Sequence, residues 1–214
     1  REDGIVMDDG TTTRISENHY HMTTTTAQAA NVLSHLEYYL QIVWPELNVN
    51  VVSTTEQWAG AAIAGPKSRD MLSKLYPDLD VSNDALPFMG YKEAKFFGVP
   101  SRIFRISFSG ELAYEINVKS DHGLFMWEKM MEVGEEFGNQ PYGTEALSTL
   151  RIEMGHVAGP ELDGRTIPSD VSLNGLVSKK KDFIGKNSLG REAFNVESRQ
   201  KIVGLIPIDR KSSI

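Results

Sequence analysis

The order of elements across the middle of this 214-residue chain constrains its fold more than any other feature. Residues 58–64 are a run of small apolar residues, which is typical of a buried strand, and Gly65-Pro66 then opens a helix. Two further strands, residues 99–108 and 112–118, are predicted to form a hairpin, and a second helix begins near Asp121. Strand, helix, two strands and helix make up most of a split βαβ unit of ferredoxin-like type. We therefore predict an α+β fold that contains a ferredoxin-like domain.

The spacing of apolar residues also predicts which side of each helix meets the sheet. The expected inner faces are Met71, Leu72 and Leu75 in the first helix and Leu124, Trp127 and Met131 in the second.

Outside the middle domain the pattern predicts helices more clearly than strands. Apolar residues at helical spacing begin at Ala27 and stop before Pro45, and a second such pattern covers residues 144–154. Shorter elements are predicted as a hairpin of residues 5–7 and 20–26 and as single strands at residues 49–52 and 201–208.

Composition excludes several classes of function. The formal charge of −7 gives no positive field for nucleic acid or an anionic membrane, so neither is an expected partner. Cysteine is absent, and the five histidines lack any metal-ligand spacing, so no metal site is expected. No apolar run is long enough for a membrane helix, and the expected location is the cytoplasm. No dinucleotide fingerprint occurs, so a dinucleotide is not expected to bind here in that way.

Glu115 is the first candidate for binding chemistry. Alternation along residues 112–118 places Glu115 on the face opposite Tyr114, Ile116 and other apolar residues. This face is either a solvated strand surface or a place where the carboxylate accepts two bonds from adjacent N–H groups of a planar ligand.

Asp9 and Arg151 each allow two interpretations. Asp9 precedes Gly10 and either makes a local turn bond or presents a carboxylate to a cleft. Arg151 lies in an otherwise apolar helix and either pairs within the protein or contacts a ligand.

Seven motifs, in order, resemble the aminomethyltransferase (glycine-cleavage T-protein) superfamily, and most of all its branch in the sarcosine oxidase alpha subunit. They are DGIVMDDG (3–10), TTTT (23–26), TEQWA (55–59), AGP (64–66), SFSGE (107–111), LRIEMG (150–155) and SKKKDFIGK (178–186). Single motifs are weak, but their shared order across nearly the whole chain is specific. The resemblance implies the aminomethyltransferase folate-binding fold.

The resemblance also implies an activity, cofactors and partners. Sarcosine would be oxidised at a flavin elsewhere in a complex, with NAD also bound elsewhere, and the resulting imine would meet tetrahydrofolate in this region. The products would be glycine, H2O2 and 5,10-methylenetetrahydrofolate. The implied partners are the rest of the alpha subunit and the beta, gamma and delta subunits, and this fragment is not expected to turn over alone.

Site residues follow from the matched motifs. Asp9 corresponds to the carboxylate beside the reactive folate nitrogens and would be the catalytic residue, while Glu115 corresponds to the glutamate that grips the pterin ring. The remaining implied folate contacts are Thr24, Thr25, Phe108, Arg151 and His156. The implied domains are a folate-lining domain at residues 1–52 and 141–198, the ferredoxin-like domain at 53–140 and the start of a truncated barrel at 199–214.

The chain departs from the T-protein pattern in the helix before Arg151. Leu147-Ser148 stands where T-proteins place an Arg-Asp pair, and His156 stands where the superfamily usually has a tyrosine. Two alternatives therefore stay open: the corresponding region of a dimethylglycine or sarcosine dehydrogenase or another demethylase, and a non-catalytic folate-binding scaffold.

Overall fold

The structure is a computed structural model that describes residues 1–206 and residue 208. Its contacts divide the chain into two compact units, which we call the split unit (Arg1–Gly10 with Val157–Ile214) and the central unit (Thr11–His156). The predicted folate-lining segments and their boundaries at residues 52, 140 and 198 stay predictions. Of the predicted barrel start, residue 207 and residues 209–214 lie outside the described residues.

The central unit is built on a four-stranded sheet in the order β3-β6-β5-β4, with every neighbouring pair antiparallel. Its strands are β3 (Trp58–Ala64), β4 (Tyr91–Phe96), β5 (Val99–Phe104) and β6 (Ala113–Lys119). Because β3 and β5 both run antiparallel to β6 between them, they are parallel to each other, with α2 (Ser68–Leu75) in the connection. That connection also contains β4, which is antiparallel to β3, so α2 does not directly join two parallel strands as the helix of a split βαβ unit does. The predicted α+β fold is confirmed, since helices pack on an antiparallel sheet.

Strand β4 was missing from the sequence prediction. It pairs with β5 through a tight turn at Phe97 and Gly98, both of which have positive φ, 47° and 89°. Such a turn joins twisted strands well but is usually built from Asn-Gly or Asp-Gly, so Phe-Gly did not signal it. The strand predicted at residues 99–108 corresponds to β5, which ends earlier than expected, at Phe104.

The core lies between this sheet and the helices α2 and α3 (Gly123–Gly134). Met71, Leu72 and Leu75 of α2 are buried, as predicted. The predicted inner face of α3 is wrong, because Met126 and Met130 are buried whereas Leu124 is 71% and Trp127 46% exposed. Residues 124–127 are all apolar, so the spacing in this segment did not select one face.

The N-terminal hairpin of the central unit comprises β1 (Thr12–Ser16) and β2 (His19–Met22). The strand predicted at residues 5–7 is wrong, because those residues belong to the split unit, where the Val6 N–H donates to the Thr166 carbonyl over 2.9 Å. Helix α1 (Ala29–Tyr38) continues as a π-helical turn to Val43, which confirms the predicted helix before Pro45. No strand forms at residues 49–52.

The remaining elements are helix α4 and the short helices of the split unit. Helix α4 (Thr144–Met154) has the predicted bounds. The described part of the split unit contains α5 (Lys186–Leu189) and 3₁₀ turns at Gly159–Glu161, Pro168–Val171, Asn174–Leu176 and Glu192–Phe194. The strand predicted at residues 201–208 does not form over residues 201–206, although the Ile202 N–H donates to the Asp170 carbonyl over 2.7 Å.

Candidate functional site

The sheet of the central unit has one face on the core and a second, polar face that carries Glu115. Tyr114, Ile116 and Val118 are fully buried on the core side, so the predicted alternation along β6 is confirmed. Glu115 lies opposite Ala62 of β3 and Phe104 of β5 in the strand register. The neighbouring alanine is small, which leaves room above the strand next to the carboxylate.

Glu115 is half-buried in a surrounding that disfavours its charge. Desolvation raises the pKa of its carboxyl group above the ordinary value for glutamate. Among residues 1–206 and 208 the structure shows no hydrogen bond to this carboxylate. A carboxylate that has lost water without gaining protein donors is suited to accept N–H groups from a ligand.

Tyr142 belongs to the surroundings of Glu115, although the sequence did not indicate it. Burial raises the pKa of the Tyr142 phenol, and the negative charge of Glu115 raises it further, so the two groups lie within electrostatic range. Tyr142 also lines a cavity of about 580 Å³ along β3, whose lining includes Ala62, Trp127, Met131 and Leu147. Leu147, which departs from the T-protein pattern, therefore lies on an apolar cavity wall.

Phe108 and His156 form an aromatic stack in the central unit. Their ring centroids are 5.8 Å apart and their planes differ by 18°. This is the geometry of an offset-stacked pair, and Phe108 remains 38% exposed. The structure thus brings together two of the predicted folate contacts.

The loop that carries Phe108 packs against the C-terminal end of α4. Gly110 has φ of +85°, and a Cβ there would lie 2.8 Å from Cγ of Met154. Ser109 is buried, and its hydroxyl lies 3.5 Å from that of Ser107. The close approach of loop and helix therefore requires glycine at position 110.

Arg151 is the one buried residue of α4, with 7% of its surface exposed. Its Nη1 donates to the His156 carbonyl over 3.2 Å. Arg151 thus has a partner within the protein, which is the first of the two interpretations that its sequence position allows.

Thr24 and Thr25 lie in the extended segment between β2 and α1. The Thr24 hydroxyl donates to the Thr25 carbonyl over 3.0 Å, and both residues are half-buried. Before them, the Thr23 and Thr11 hydroxyls lie 3.0 Å apart. The Thr23 N–H also donates to the Thr11 carbonyl over 2.8 Å, so bonds to the residue before β1 extend the hairpin as far as Thr23.

Asp9 belongs to the split unit, whereas the other predicted site residues belong to the central unit. Its side chain is exposed, and Oδ1 accepts a 2.8 Å bond from the Gly10 N–H. This is the local turn bond that one interpretation of the sequence requires.

Strand β5 also makes a polar and an aromatic contact that the sequence did not indicate. The Arg102 guanidinium lies 4.1 Å from the Trp58 ring centre, and the His21 ring stacks on Phe104 at 5.8 Å. The alternation of β5 contained this signal, since Arg102 and Phe104 share a face, but their partners come from distant segments.

The described residues contain neither a membrane-spanning helix nor a cluster of metal-binding side chains. No helix within residues 1–206 and 208 has the length and apolar character needed to cross a membrane. In the same part of the chain, no group of three or more His, Asp or Glu side chains is arranged to hold a metal ion.

Comparison with known proteins identifies relatives of the whole chain. Residues 1–181 match the GCVT N-terminal domain family. The chain is 48% identical to sarcosine oxidase subunit alpha of Rhizobium meliloti (strain 1021) over 216 residues, which cover 100% of this chain and 22% of that subunit. It is 32% identical to the aminomethyltransferase of Chloroherpeton thalassium over 205 residues, covering 95% of this chain and 54% of the enzyme. The chain therefore spans about a fifth of the length of the sarcosine oxidase subunit.

A solved structure shows the same fold. The crystal structure of glycine cleavage system aminomethyltransferase T from Bartonella henselae matches with a TM-score of 0.69 and 21% sequence identity, over 87% of this chain and 49% of that chain. At this identity the match bears on the fold, and it agrees with the aminomethyltransferase fold expected from the sequence.

Proposed function

The chain belongs to the GCVT N-terminal domain family, and from this membership we propose that it is the tetrahydrofolate-binding, one-carbon-transfer region of a sarcosine oxidase alpha subunit. The Rhizobium meliloti relative named above is an alpha subunit of that oxidase, at 48% identity. The observation that carries the proposal is the Glu115 carboxylate, half-buried on the polar face of the sheet and without a hydrogen bond among the described residues.

The chemistry of Glu115 fits a pterin. A pterin presents adjacent N–H donors along one edge of a planar ring, and one carboxylate can accept two of them. These bonds would replace the water that Glu115 has lost, so binding would favour its ionised form and lower its raised pKa. Affinity should accordingly fall as the pH is lowered through the pKa of Glu115 in the free protein.

The aromatic stack fits a flat ligand for a different reason. Phe108 and His156 already share an orientation within 18°, and part of Phe108 is open to solvent. A further planar ring can extend such a stack without reorganising it. We assign Phe108 and His156 to the folate contacts on this basis, together with Thr24 and Thr25 from the extended segment before α1.

Asp9 is our proposed catalytic residue. Bound tetrahydrofolate supplies the nucleophilic nitrogens that take up the one-carbon unit. A carboxylate beside these nitrogens would hold an N–H group and stabilise positive charge that develops at the amine. Since the Gly10 N–H occupies Oδ1, the second oxygen is the one that we assign to this role.

We propose the same overall reaction for the complete complex as the sequence implied: sarcosine, O2 and tetrahydrofolate give glycine, H2O2 and 5,10-methylenetetrahydrofolate. The flavin and NAD would bind outside this chain, and the beta, gamma and delta subunits would be its partners in the cytoplasm. The names of two relatives, both alpha subunits, support a multi-subunit assembly.

Tetrahydrofolate binding to the full-length protein tests the proposal. Glu115→Gln should weaken binding about tenfold or more, because charge-assisted hydrogen bonds are lost, and should abolish the pH dependence of affinity. Glu111→Gln, on the exposed turn before β6, is the matched control and should bind as the wild type does. Undiminished binding by Glu115→Gln would exclude the carboxylate as a pterin ligand.

Asp9→Asn tests the catalytic assignment in the complete complex. Sarcosine consumption and H2O2 formation should continue, while the imine carbon is released as formaldehyde instead of being captured on tetrahydrofolate. Normal formation of 5,10-methylenetetrahydrofolate by this variant would refute the role of Asp9. A wild-type protein that binds tetrahydrofolate without forming that product would instead favour the non-catalytic scaffold.

A further inference from the structure

Arg151 and His156 are joined by two hydrogen bonds that run in opposite directions. The His156 N–H donates to the Arg151 carbonyl over 2.9 Å, and Arg151 Nη1 donates to the His156 carbonyl over 3.2 Å. Gly155 between them has φ of +80°, which turns the chain back at the end of α4. Both peptide groups of His156 are therefore tied to a single arginine one turn earlier.

This arrangement limits the positions that the His156 ring can take. With its backbone held on both sides, the ring has only its two side-chain torsions left, and it lies stacked on Phe108. Phe108 is in turn held close to α4, since its loop packs through Gly110 against Met154. The two rings thus share one support, the C-terminal end of α4.

We propose that Arg151 is a positioning residue: it holds His156 against Phe108 and so fixes the aromatic surface on which a flat ligand stacks. The ligand in this statement rests on the proposed function, whereas the hold of Arg151 on His156 does not. With only 7% of its surface exposed, Arg151 acts through His156 instead of contacting the ligand. This revises the direct folate contact that the sequence implied for Arg151.

The first test observes the His156 ring without any ligand. In the full chain labelled with ¹³C at histidine Cε1, the His156 signal is identified by its loss in His156→Ala. Phe108→Ala should move this signal, because the ring current of the stacked phenyl group disappears. Arg151→Met should move it in the same direction, and Arg151→Lys, which keeps a donor for the carbonyl, should restore much of the wild-type position.

Arg14→Met is the matched control, since Arg14 also donates to backbone carbonyls but lies on the exposed hairpin. It should leave the His156 signal unchanged. A His156 signal that stays at its wild-type position in a folded Arg151→Met protein would overturn the proposal. If Arg151→Met does not fold, the decision rests on Arg151→Lys, whose signal must lie between those of the wild type and Phe108→Ala.

The second test separates positioning from direct contact by a double-mutant cycle on tetrahydrofolate affinity. Arg151→Met and His156→Ala should each weaken binding about tenfold, and the double variant should be no weaker than His156→Ala. Losses that multiply would show that Arg151 contacts the ligand itself and would overturn the proposal. If the wild type binds no tetrahydrofolate, the proposed function fails, whereas the ring signal still decides the role of Arg151.

Discussion

At the scale of single residues, the Glu115 carboxylate is expected to lower the stability of the ligand-free protein and to strengthen ligand binding. Its carboxylate is disfavoured by desolvation in the folded chain, which leaves it available to a ligand that brings N–H donors. A glutamate with a raised pKa adds stability below its ordinary pKa, near 4.3, and this contribution is lost as the pH rises through the folded-state value. The residue proposed to bind the ligand is therefore expected to weaken the ligand-free protein at neutral pH.

We predict that Glu115→Gln raises the free energy of unfolding at pH 7, by on the order of 1 kcal/mol. The difference from the wild type should shrink towards zero as the pH falls below about 4, because Glu115 then becomes protonated in the unfolded state as well as in the folded state. Tryptophan fluorescence in urea measures this, because Trp44, Trp58 and Trp127 all lie in the central unit. A Glu115→Gln protein that gains no stability at pH 7 would contradict the desolvated environment.

Tyr142 offers an independent measure of the same charge. Glu115→Gln should lower the pKa of the Tyr142 phenol in an ultraviolet titration, but not to the ordinary tyrosine value, because burial is the larger cause of its shift. The difference spectrum of Tyr142→Phe identifies its contribution. Glu111→Gln serves as control, and an equal response in both glutamine variants would show that Glu115 is not the neighbour responsible.

Local rules predicted the orientation of Glu115 but not its neighbours. Alternation along one strand suffices to place a carboxylate opposite the core. Tyr142 and Arg151 depend on how distant segments come together, and a sequence pattern gives no distance between them. The resemblance supplied Phe108 and His156 as candidates, whereas their stacking required the structure.

At the scale of elements, α3 shows where a helical pattern becomes ambiguous. Apolar residues occur around much of its circumference, and the sheet selects the face that carries Met126 and Met130. Helix α2 has charged residues between its apolar ones, so its inner face was predicted correctly. Strand β4 was missed because its turn lacks the usual residues, although its pairing with β5 is regular over six residues.

Substitutions in α3 distinguish the two faces directly. Met126→Ala should lower the stability of the central unit by about 2–4 kcal/mol, because it removes a buried side chain and leaves a cavity. Leu124→Ala should change it by less than about 0.5 kcal/mol, since Leu124 is 71% exposed. Urea unfolding followed by tryptophan fluorescence gives both values, and a larger loss for Leu124→Ala would support the face predicted from sequence.

At the scale of the whole molecule, the split unit depends on contacts between segments far apart in the chain. Arg199 pairs with Asp170 through two guanidinium bonds, of which Nε to Oδ1 measures 3.0 Å, and it also donates to the Arg165 carbonyl over 3.1 Å. Asp170 in turn accepts a 3.0 Å bond from the Ile167 N–H. No local pattern predicted this cluster, because its partners are 29 residues apart.

Removing the Asp170 charge should lower the stability of the split unit. The bonds from Arg199 hold the pKa of Asp170 below its ordinary value, so their contribution is present above about pH 4 and is lost as the pH falls further. Asp170→Asn should lower stability at pH 7 by about 1–2 kcal/mol. This loss of stability should appear as faster hydrogen exchange of the Ile167 amide. Fluorescence cannot measure it, because the split unit has neither tryptophan nor tyrosine.

Asp163→Asn provides the control within the same unit. Asp163 pairs with Arg165, whose side chain is 87% exposed, and water competes with such a pair. Exchange at Ile167 should therefore remain close to that of the wild type. Equal effects of the two asparagine variants would show that the buried position of Asp170 confers no advantage.

The discontinuity of the split unit sets an order of events during synthesis on the ribosome. Residues 1–10 emerge before the central unit, yet Val6 finds its partner Thr166 only after more than 150 further residues have been added. The central unit, being continuous in sequence, can fold while the rest is still being translated. Until then Val6, in the segment that carries Asp9, lacks this native hydrogen bond, so a ribosome stalled before Thr166 should display the segment as a site open to proteases.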